Sequence, residues 1–431
     1  MFKKPRFVNG KRGTARFCVC LFIATFFAFL QTTHAVEKLI RKPIETAYPV
    51  EDPAFRDSIS QLLSAPLVGG NSVTQYINGD QIFPAMLDAI RQARETITYE
   101  NFIWRSGRLS DLFIEALIER AQAGVKVHCT IDGFGGWHLK HADAKRLKQG
   151  GVQLIKFNPT HWYNPFKWNH RTHRKTLVVD GRIGFTGGIC VADEWLGNAD
   201  GPHVWRDTEF KVEGPAVAEM QGVFMDNWTR TREEVLHGTN YFPELESKGP
   251  ALAQCFKSGP KDGAENARLL YLYSIAAARK TIRLSASYFV PDDLAIDTLV
   301  AAAARGVKIE VITPGIIDFN IVRRAARSRW RKLMDAGVLF YEYQPAKYHC
   351  KVMIVDDVWV TGGSINFDDR SFRLNDECNL NVLDKDFAAA QIRVFEADKA
   401  RSKRLIPDEF RKRPWYLRAV ENFSGLFRSV L

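Results

Sequence analysis

The chain carries one eight-residue pattern twice, HRKTLVVD at residues 173–180 and HCKVMIVD at residues 349–356. Both copies read HxKxxxxD. Side chains alternate between the two faces of a strand, so the histidine and the lysine of each copy are predicted to share one face. The pattern gives six candidate catalytic residues: His173, Lys175, Asp180, His349, Lys351 and Asp356.

The repeat extends well beyond these two motifs. Upstream, ARETI at residues 93–97 recurs as ARKTI at residues 278–282. In both copies a helix-like segment that ends in glycine then precedes an alternating, strand-like one, VKVHC at residues 125–129 and VKIEV at residues 307–311. Helices and strands in regular succession are typical of α/β folds. We therefore expect two similar α/β sandwich domains, related by a pseudo-twofold axis, with the active site at their interface.

Length and composition agree with two folded domains. A chain of 431 residues is longer than one ordinary domain, and 46% apolar with 25% charged residues is typical of a folded protein. Glycine, proline, lysine and serine collect at residues 249–262, where we place the boundary between the halves. The predicted division is an N-terminal signal or membrane anchor at 1–36, a first domain at 60–248, a second domain at 263–400 and a basic amphipathic tail at 401–431.

The N-terminal segment is typical of export. Six basic residues among the first sixteen precede an apolar run from Phe17 to Leu30. Cleavage near Ala35 and retention as an anchor both remain open. Either predicts a location at the bacterial inner membrane or in the periplasm, with the body on the non-cytoplasmic side. The net charge of +11 indicates an anionic partner, either nucleic acid or an acidic membrane surface.

The paired motif resembles that of the phospholipase D superfamily, in which HxKxxxxD is followed by a Gly-[Gly/Ser]-x-Asn turn. The second copy, GSINFDDRS at residues 363–371, matches in full, whereas Cys190 stands in the first copy where asparagine is expected. The resemblance extends from about residue 78 to residue 382, and YFVPD at residues 288–292 is most similar to bacterial cardiolipin synthases. It implies an enzyme that needs no cofactor. The duplicated residues contain no carboxylate cluster of the kind that binds two metal ions, so no metal is expected.

The chemistry of the motif suits a phosphodiester. Cationic Lys175 and Lys351 can neutralise its non-bridging oxygens, while one neutral histidine attacks phosphorus and the other, protonated, donates to the leaving alkoxide. By resemblance, His173 is the nucleophile and His349 the acid and base. The repeat leaves the reverse order open.

Further residues are expected to support the histidines. Alignment of residues 208–212 with 378–382 places Asp207 and Glu377 at equivalent positions, where they would orient the imidazoles. The aspartates of the two motifs are expected to organise the loop beneath the lysines, and a plain salt bridge is the alternative for all four acids. The complete supporting set is Asp207, Glu377, Asn366, Gly187, Gly188, Gly363 and Ser364.

Several functions are compatible with these residues. The leading hypothesis is phosphatidyl transfer through a phosphohistidine, in which a second phospholipid accepts the group and phosphatidylglycerol gives cardiolipin. Hydrolysis of phospholipids is the alternative in the same class, and a nuclease or a binding module on an inactive fold are alternatives from other classes. The sequence favours lipid over nucleic acid, and no oligomer is required to complete the site.

Two segments indicate an anionic membrane surface as partner. Between residues 411 and 431, basic residues accompany Tyr416, Val420 and Phe423 at helical spacing, as in an interfacial amphipathic helix. The alternative is a helix packed on the body. The first half also has an aromatic segment at residues 160–171 that the second half lacks; we expect it to rim the active-site mouth, with inward packing as a cap the alternative.

Overall fold

The computed structural model describes residues 40–45, 47–159, 169–317 and 320–426. The predicted signal or anchor segment at 1–36 and most of the aromatic segment, residues 160–168, lie outside these ranges. No helix within them is both long and apolar enough to cross a bilayer. From Lys42 onward the described residues form one compact unit.

The first half alternates helices with strands. Its elements are α1 (Pro53–Leu62), β1 (Val68–Ile77), α2 (Asn78–Gln92), β2 (Thr96–Asn101), α3 (Arg108–Gln122), β3 (Lys126–Asp132), α4 (His141–Gln149), β4 (Gln153–Phe157), β5 (Arg171–Thr172), β6 (Thr176–Val179), β7 (Ile183–Gly187), β8 (Trp205–Arg206), β9 (Thr208–Glu213) and α5 (Val217–Arg232).

The second half repeats this succession. Its elements are β10 (Ala251–Ser258), α6 (Asn266–Ala277), β11 (Thr281–Ala286), α7 (Asp293–Ala304), β12 (Lys308–Ile316), α8 (Asn320–Asp335), β13 (Leu339–Tyr348), β14 (Lys351–Val355), β15 (Trp359–Gly363), α9 (Asp369–Arg373), β16 (Asn375–Leu383), α10 (Lys385–Ala400), β17 (Ser402–Arg404), α11 (Pro407–Arg411) and α12 (Trp415–Gly425).

Seven strands of each half are arranged in the same order. The first half reads β4-β3-β2-β6-β7-β9-β1 and the second reads β13-β12-β11-β14-β15-β16-β10. The first three strands of each set are parallel, and the other pairings are antiparallel. The predicted α/β class and the duplication are confirmed.

The two sheets join where the sequence predicted a linker. Strand β10 lies inside the predicted boundary at 249–262, and it pairs with β1 on one side and β16 on the other. The boundary is therefore wrong as placed, because Gly249-Pro250 and Gly259-Pro260 flank a largely buried strand. Helix α1, which begins before the predicted start at residue 60, contacts the second half, where the Phe55 ring stacks on Tyr273 at 5.2 Å.

The core of the first half follows from helical periodicity. Apolar residues of α2 recur every three or four positions and are buried: Ile82, Phe83, Met86, Leu87 and Ile90. They cover a sheet in which all six residues of β2 are buried. Full burial of each such side chain contributes about 1.5–3 kcal/mol. A second apolar cluster contains residues of both halves, and in it the rings of Phe210 and Phe387 meet edge to face at 5.8 Å.

Two short strands carry each half into contact with the other. Strand β5 pairs in parallel with the start of β16, and β8 pairs in parallel with the end of β13. Each of these strands lies next to a residue predicted for the active site: β5 precedes His173, β16 contains Glu377, β8 precedes Asp207 and β13 precedes His349. The crossings therefore bring the four side chains to the junction of the halves.

The C-terminal segment, predicted as a basic amphipathic tail at 401–431, is described as far as residue 426. It forms β17, which pairs with β13, followed by the short helix α11 and the separate helix α12. Pro407 and Pro414 stand at the starts of the two helices, because proline lacks the N–H that a continuous helix would need there.

Candidate active site

His173 lies where the chain leaves β5. Its backbone N–H donates to the carbonyl of Asp376 at 2.8 Å, and its Nδ1 lies 2.9 and 3.0 Å from the two carboxylate oxygens of Glu377. The ring is buried, with its edge against Phe102 at a centroid distance of 5.0 Å. Nδ1–H donates to the carboxylate, and Nε2 forms no hydrogen bond with any described residue. The Nε2 lone pair is therefore available.

His349 has the equivalent environment on the other side. Its backbone N–H donates to the carbonyl of Arg206 at 2.9 Å, and its Nδ1 lies 2.8 Å from Oδ2 of Asp207. Trp195 and Trp205 enclose the ring, with centroids at 5.5 and 5.1 Å. Each histidine is thus paired with a carboxylate from the opposite half. Sequence alignment gave both carboxylates but not this exchange.

Both lysines of the motifs are buried beside the histidines. The Nζ of Lys175 donates to the carbonyl of His173, and that of Lys351 to the carbonyl of His349, each at 2.7 Å. Residues 173–175 belong to no regular strand, because the chain changes partner there from β16 to β2. Each lysine also lowers the pKa of the other half's histidine, so all four side chains share one site.

Burial sets the protonation state of this site. It lowers the pKa of His173 and of His349 to about 4, against the opposing effect of their carboxylate partners. Burial alone would raise the pKa of Glu377 and Asp207, but the adjacent histidines and lysines outweigh it and the net pKa of each is lowered. At neutral pH the side chains of the site by themselves are therefore two neutral imidazoles and two carboxylates. Burial also lowers the pKa of Lys351 to about 8.

Several supporting residues escaped the sequence analysis. Glu377 also accepts from the hydroxyl of Ser371 at 2.7 Å and from the side-chain amide of Asn375 at 3.3 Å, while the indole N–H of Trp195 donates to Asp207 at 2.9 Å. Ser371 ends the extended second motif, and this position was the one available signal. The predicted Ser364 donates to Glu377 at 2.5 Å.

The glycines of the turns leave room for polar atoms. A Cβ on Gly187 would lie 2.4 Å from the carbonyl oxygen of Thr208, and one on Gly363 would lie 2.4 Å from that of Cys378. The predicted Asn366 is buried; its backbone N–H donates to Ser371 at 3.2 Å, and its side-chain oxygen has no hydrogen-bond partner among the described residues.

Substitution of Gly188 tests this packing. A Cβ there would lie 2.3 Å from Oδ1 of Asp207. This carboxylate already accepts from the indole N–H of Trp195 and the backbone N–H of Thr208, and it is paired with His349. We expect Gly188→Ala to lower kcat roughly 100-fold, since a displacement of about 1 Å in a catalytic group has that effect. Gly201→Ala is the matched control, because nothing lies within 4 Å of its Cβ position. Equal activities in steady-state assays would contradict the packing argument.

The two motif aspartates serve a different loop from the one predicted. Asp180 accepts from the backbone N–H groups of residues 94–96 and Asp356 from those of residues 279–281. Both therefore fasten the turn that precedes β2 or β11. They do not organise a loop beneath the lysines, because five residues of extended chain place Asp180 about 16 Å from Lys175.

The end of the aromatic segment contacts the second half. His170 Nε2 lies 2.9 Å from Asp376, and the side-chain oxygen of Asn169 accepts from Arg370 at 2.8 Å. The rest of the segment predicted to rim the mouth, including Trp162, Phe166 and Trp168, lies outside the described ranges. Within those ranges, no three His, Cys, Asp or Glu side chains converge to form a metal site.

The chain is similar in sequence to proteins of known family. Residues 271–399 match the family described as cardiolipin synthase, PLD-like domain. Cardiolipin synthase A of Pseudomonas aeruginosa is 36% identical over 355 residues, which cover 82% of this chain and 72% of that protein. Cardiolipin synthase 2 of Staphylococcus epidermidis is 31% identical over 383 residues, covering 88% and 78%.

A solved structure agrees at the level of the fold. Phosphatidylserine synthase of Haemophilus influenzae superposes with a TM-score of 0.63 at 13% identity, covering 87% of this chain and all of that one. The likeness in sequence to the two synthases extends over most of this chain and most of each synthase. The chain belongs to the cardiolipin synthase family of the phospholipase D superfamily.

Proposed function

We propose that the protein transfers a phosphatidyl group through a phosphohistidine intermediate and makes cardiolipin from two molecules of phosphatidylglycerol. The observation that carries this proposal is the pair of buried imidazoles, each held at Nδ1 by a carboxylate of the opposite half and each with Nε2 available. Membership of the cardiolipin synthase family supports the choice of lipid substrate.

In the first step, Nε2 of His173 attacks phosphorus and the bond to the headgroup glycerol breaks. His349, protonated when the anionic phosphate enters, gives its Nε2 proton to the departing alkoxide, and glycerol leaves. Glu377 and Asp207 orient the two rings and stabilise the imidazolium forms. Lys175 and Lys351 neutralise the non-bridging oxygens, on which negative charge increases.

In the second step, His349 is neutral and accepts the proton of an incoming hydroxyl group. The hydroxyl oxygen of a second phosphatidylglycerol attacks phosphorus, the phosphorus–nitrogen bond breaks, and His173 returns to its starting form. Two phosphatidylglycerols thus give one cardiolipin and one glycerol. Water in place of the second lipid would give phosphatidic acid, so exclusion of water separates transfer from hydrolysis.

We further propose an anionic membrane as the working surface, with the body on the non-cytoplasmic side of the bacterial inner membrane. The basic head and apolar run of residues 1–36 support this location. All the site residues come from one chain, so catalysis requires no oligomer. Nucleic acid is not proposed as a substrate.

Product analysis tests the reaction. The purified chain is incubated with phosphatidylglycerol in mixed micelles, and the lipids are separated and quantified. Cardiolipin and glycerol in equal amounts are expected. Phosphatidic acid as the main product would replace transfer by hydrolysis, and cleavage of DNA with no lipid product would overturn the proposal.

The charge of Lys351 gives a pH prediction. Its pKa of about 8 means that the amine is cationic below that pH and neutral above it, so phosphate neutralisation weakens as the pH rises. Arginine stays charged throughout the accessible range. The ratio of kcat/KM between the parent and Lys351→Arg is therefore expected to be constant below pH 7 and to fall about tenfold per pH unit above pH 8. A ratio that stays constant to pH 10 would contradict this assignment.

A further inference from the structure

The C-terminal helix α12 packs on α8 through its small and polar residues. Its buried residues are Glu421, Ser424 and Gly425. Gly425 lies so close to α8 that a Cβ on it would be 2.8 Å from Oγ of Ser328. Glu421 forms an ion pair with Arg413 at 2.6 Å. The body therefore binds the side of the helix that would ordinarily face water.

Large apolar residues occupy the outer side of this helix. Trp415 and Leu426 are each 74% exposed, and Tyr416, Leu417 and Val420 are also exposed. A helix of a soluble protein normally buries such residues and exposes its polar ones. An eleven-residue helix is also marginally stable by itself, so it depends on the surfaces that bury its apolar side.

The charges beside this apolar side identify what covers it. Lys412 and Arg418 are exposed and form no ion pair with a described residue, and Lys403 and Arg404 are exposed on β17. Tryptophan and tyrosine with neighbouring basic residues favour the interface of an anionic bilayer, where ring and charge are both satisfied. A second copy of this chain would instead bring two basic clusters into one interface.

The helix also stands near a cleft that lies beside the active site. Glu421 interacts electrostatically with Arg323, which lines this cleft together with Tyr288, Ile317 and Trp205. The ring of Trp205 contacts His349 at 5.1 Å.

We propose that α12 is a membrane-docking helix that lies in the plane of one leaflet of an anionic phospholipid bilayer. Trp415, Leu417 and Leu426 enter the boundary of the acyl chains, and Lys412 and Arg418 contact the phosphates. The cleft beside His349 then opens towards the lipid surface. This last point rests on the proposed function, whereas the docking itself does not.

Depth-dependent quenching tests the docking without any assay of activity. The full chain with Leu417→Cys is labelled with a polarity-sensitive dye and mixed with vesicles that contain phosphatidylglycerol and brominated phosphatidylcholine. The control is Val235→Cys, an exposed position in the loop after α5, and the unsubstituted chain gives the background labelling. We expect quenching at position 417 only, and at least tenfold less of it with vesicles that lack the anionic lipid. Equal signals at both positions would overturn the proposal.

A kinetic comparison separates docking from catalysis. In one variant Trp415, Tyr416, Leu417 and Val420 are all replaced by serine. We expect its kcat/KM to fall at least tenfold on vesicles of long-chain phosphatidylglycerol, because four apolar contacts are lost, and to stay within twofold on a short-chain monomeric form. An equal loss on both substrates would show that α12 stabilises the site instead of docking.

The remaining outcomes also separate the two proposals. A parent chain that converts neither substrate contradicts the proposed function, and the quenching experiment still decides the docking. Sedimentation velocity in matched detergent reports self-association. A dimer that the serine variant dissociates, together with no quenching at position 417, would make this surface a contact between copies and overturn membrane docking.

Discussion

Replacing either His173 or His349 by alanine is expected to lower kcat by roughly 10⁴-fold or more, and the double variant is expected to lose no more than either single one. The two imidazoles act on the same phosphorus in the same step, so the loss of one leaves the other without a function. Both rings lie at the junction of the halves with Nε2 available, and each lysine lowers the pKa of both rings.

The matched control is His141→Ala, which removes an exposed histidine at the start of α4. It is expected to retain full activity. Trapping after rapid mixing with labelled lipid should also give an acid-labile label on His173. Independent partial losses that add in the double variant, or label on His349 alone, would require a different assignment of roles.

Glu377→Gln and Asp207→Asn are expected to lower kcat by roughly 10³-fold to 10⁴-fold, because an amide can present a donor to Nδ1 and impose the wrong tautomer. Each carboxylate variant should behave like the variant of the histidine that it contacts in the opposite half, and not like that of the histidine in its own half. With a substrate whose leaving group needs no proton, Asp207→Asn and His349→Ala should recover much of the first step. Glu377→Gln and His173→Ala should not.

Two controls accompany this comparison. Ser371→Ala removes one of the hydroxyl groups that donate to Glu377 and is expected to cost about tenfold or less. The melting temperature of every variant that leaves the other ion pairs of the site intact should stay within a few degrees of that of the parent. If the single variants Glu377→Gln and His349→Ala both recovered the first step with this substrate, each carboxylate would instead orient the histidine of its own half.

The repeat and the doubled motif were sufficient to predict the α/β duplication and to collect the site residues. Strands and motifs are recognised from their own consecutive residues, and their patterns do not depend on which other segment they contact in the fold. The crossed pairing of His173 with Glu377 was not accessible, because equivalent residues in a duplicated chain fit direct and exchanged contacts equally well. The pairings of β5 with β16 and of β8 with β13 bring the exchanged partners together in the structure.

Two other differences have local causes. Strand β10 was read as a linker because glycine and proline flank it on both sides, and a single buried strand of eight residues has no helical or alternating signal strong enough to oppose them. The apolar residues of α12 were visible in the sequence, but periodicity shows only that a helix has an apolar side. Which side faces the body depends on the close contact between Gly425 and Ser328.

The exchange of carboxylates also bears on how such a chain can change over generations. Loss of Glu377 from the second half removes the partner of His173 in the first half, and loss of Asp207 removes the partner of His349. Neither half can therefore lose its site residues without also impairing the histidine of the other half. The two copies nevertheless differ beside the exchanged pairs, where Gly188 leaves space for Asp207 and the equivalent Ser364 donates to Glu377.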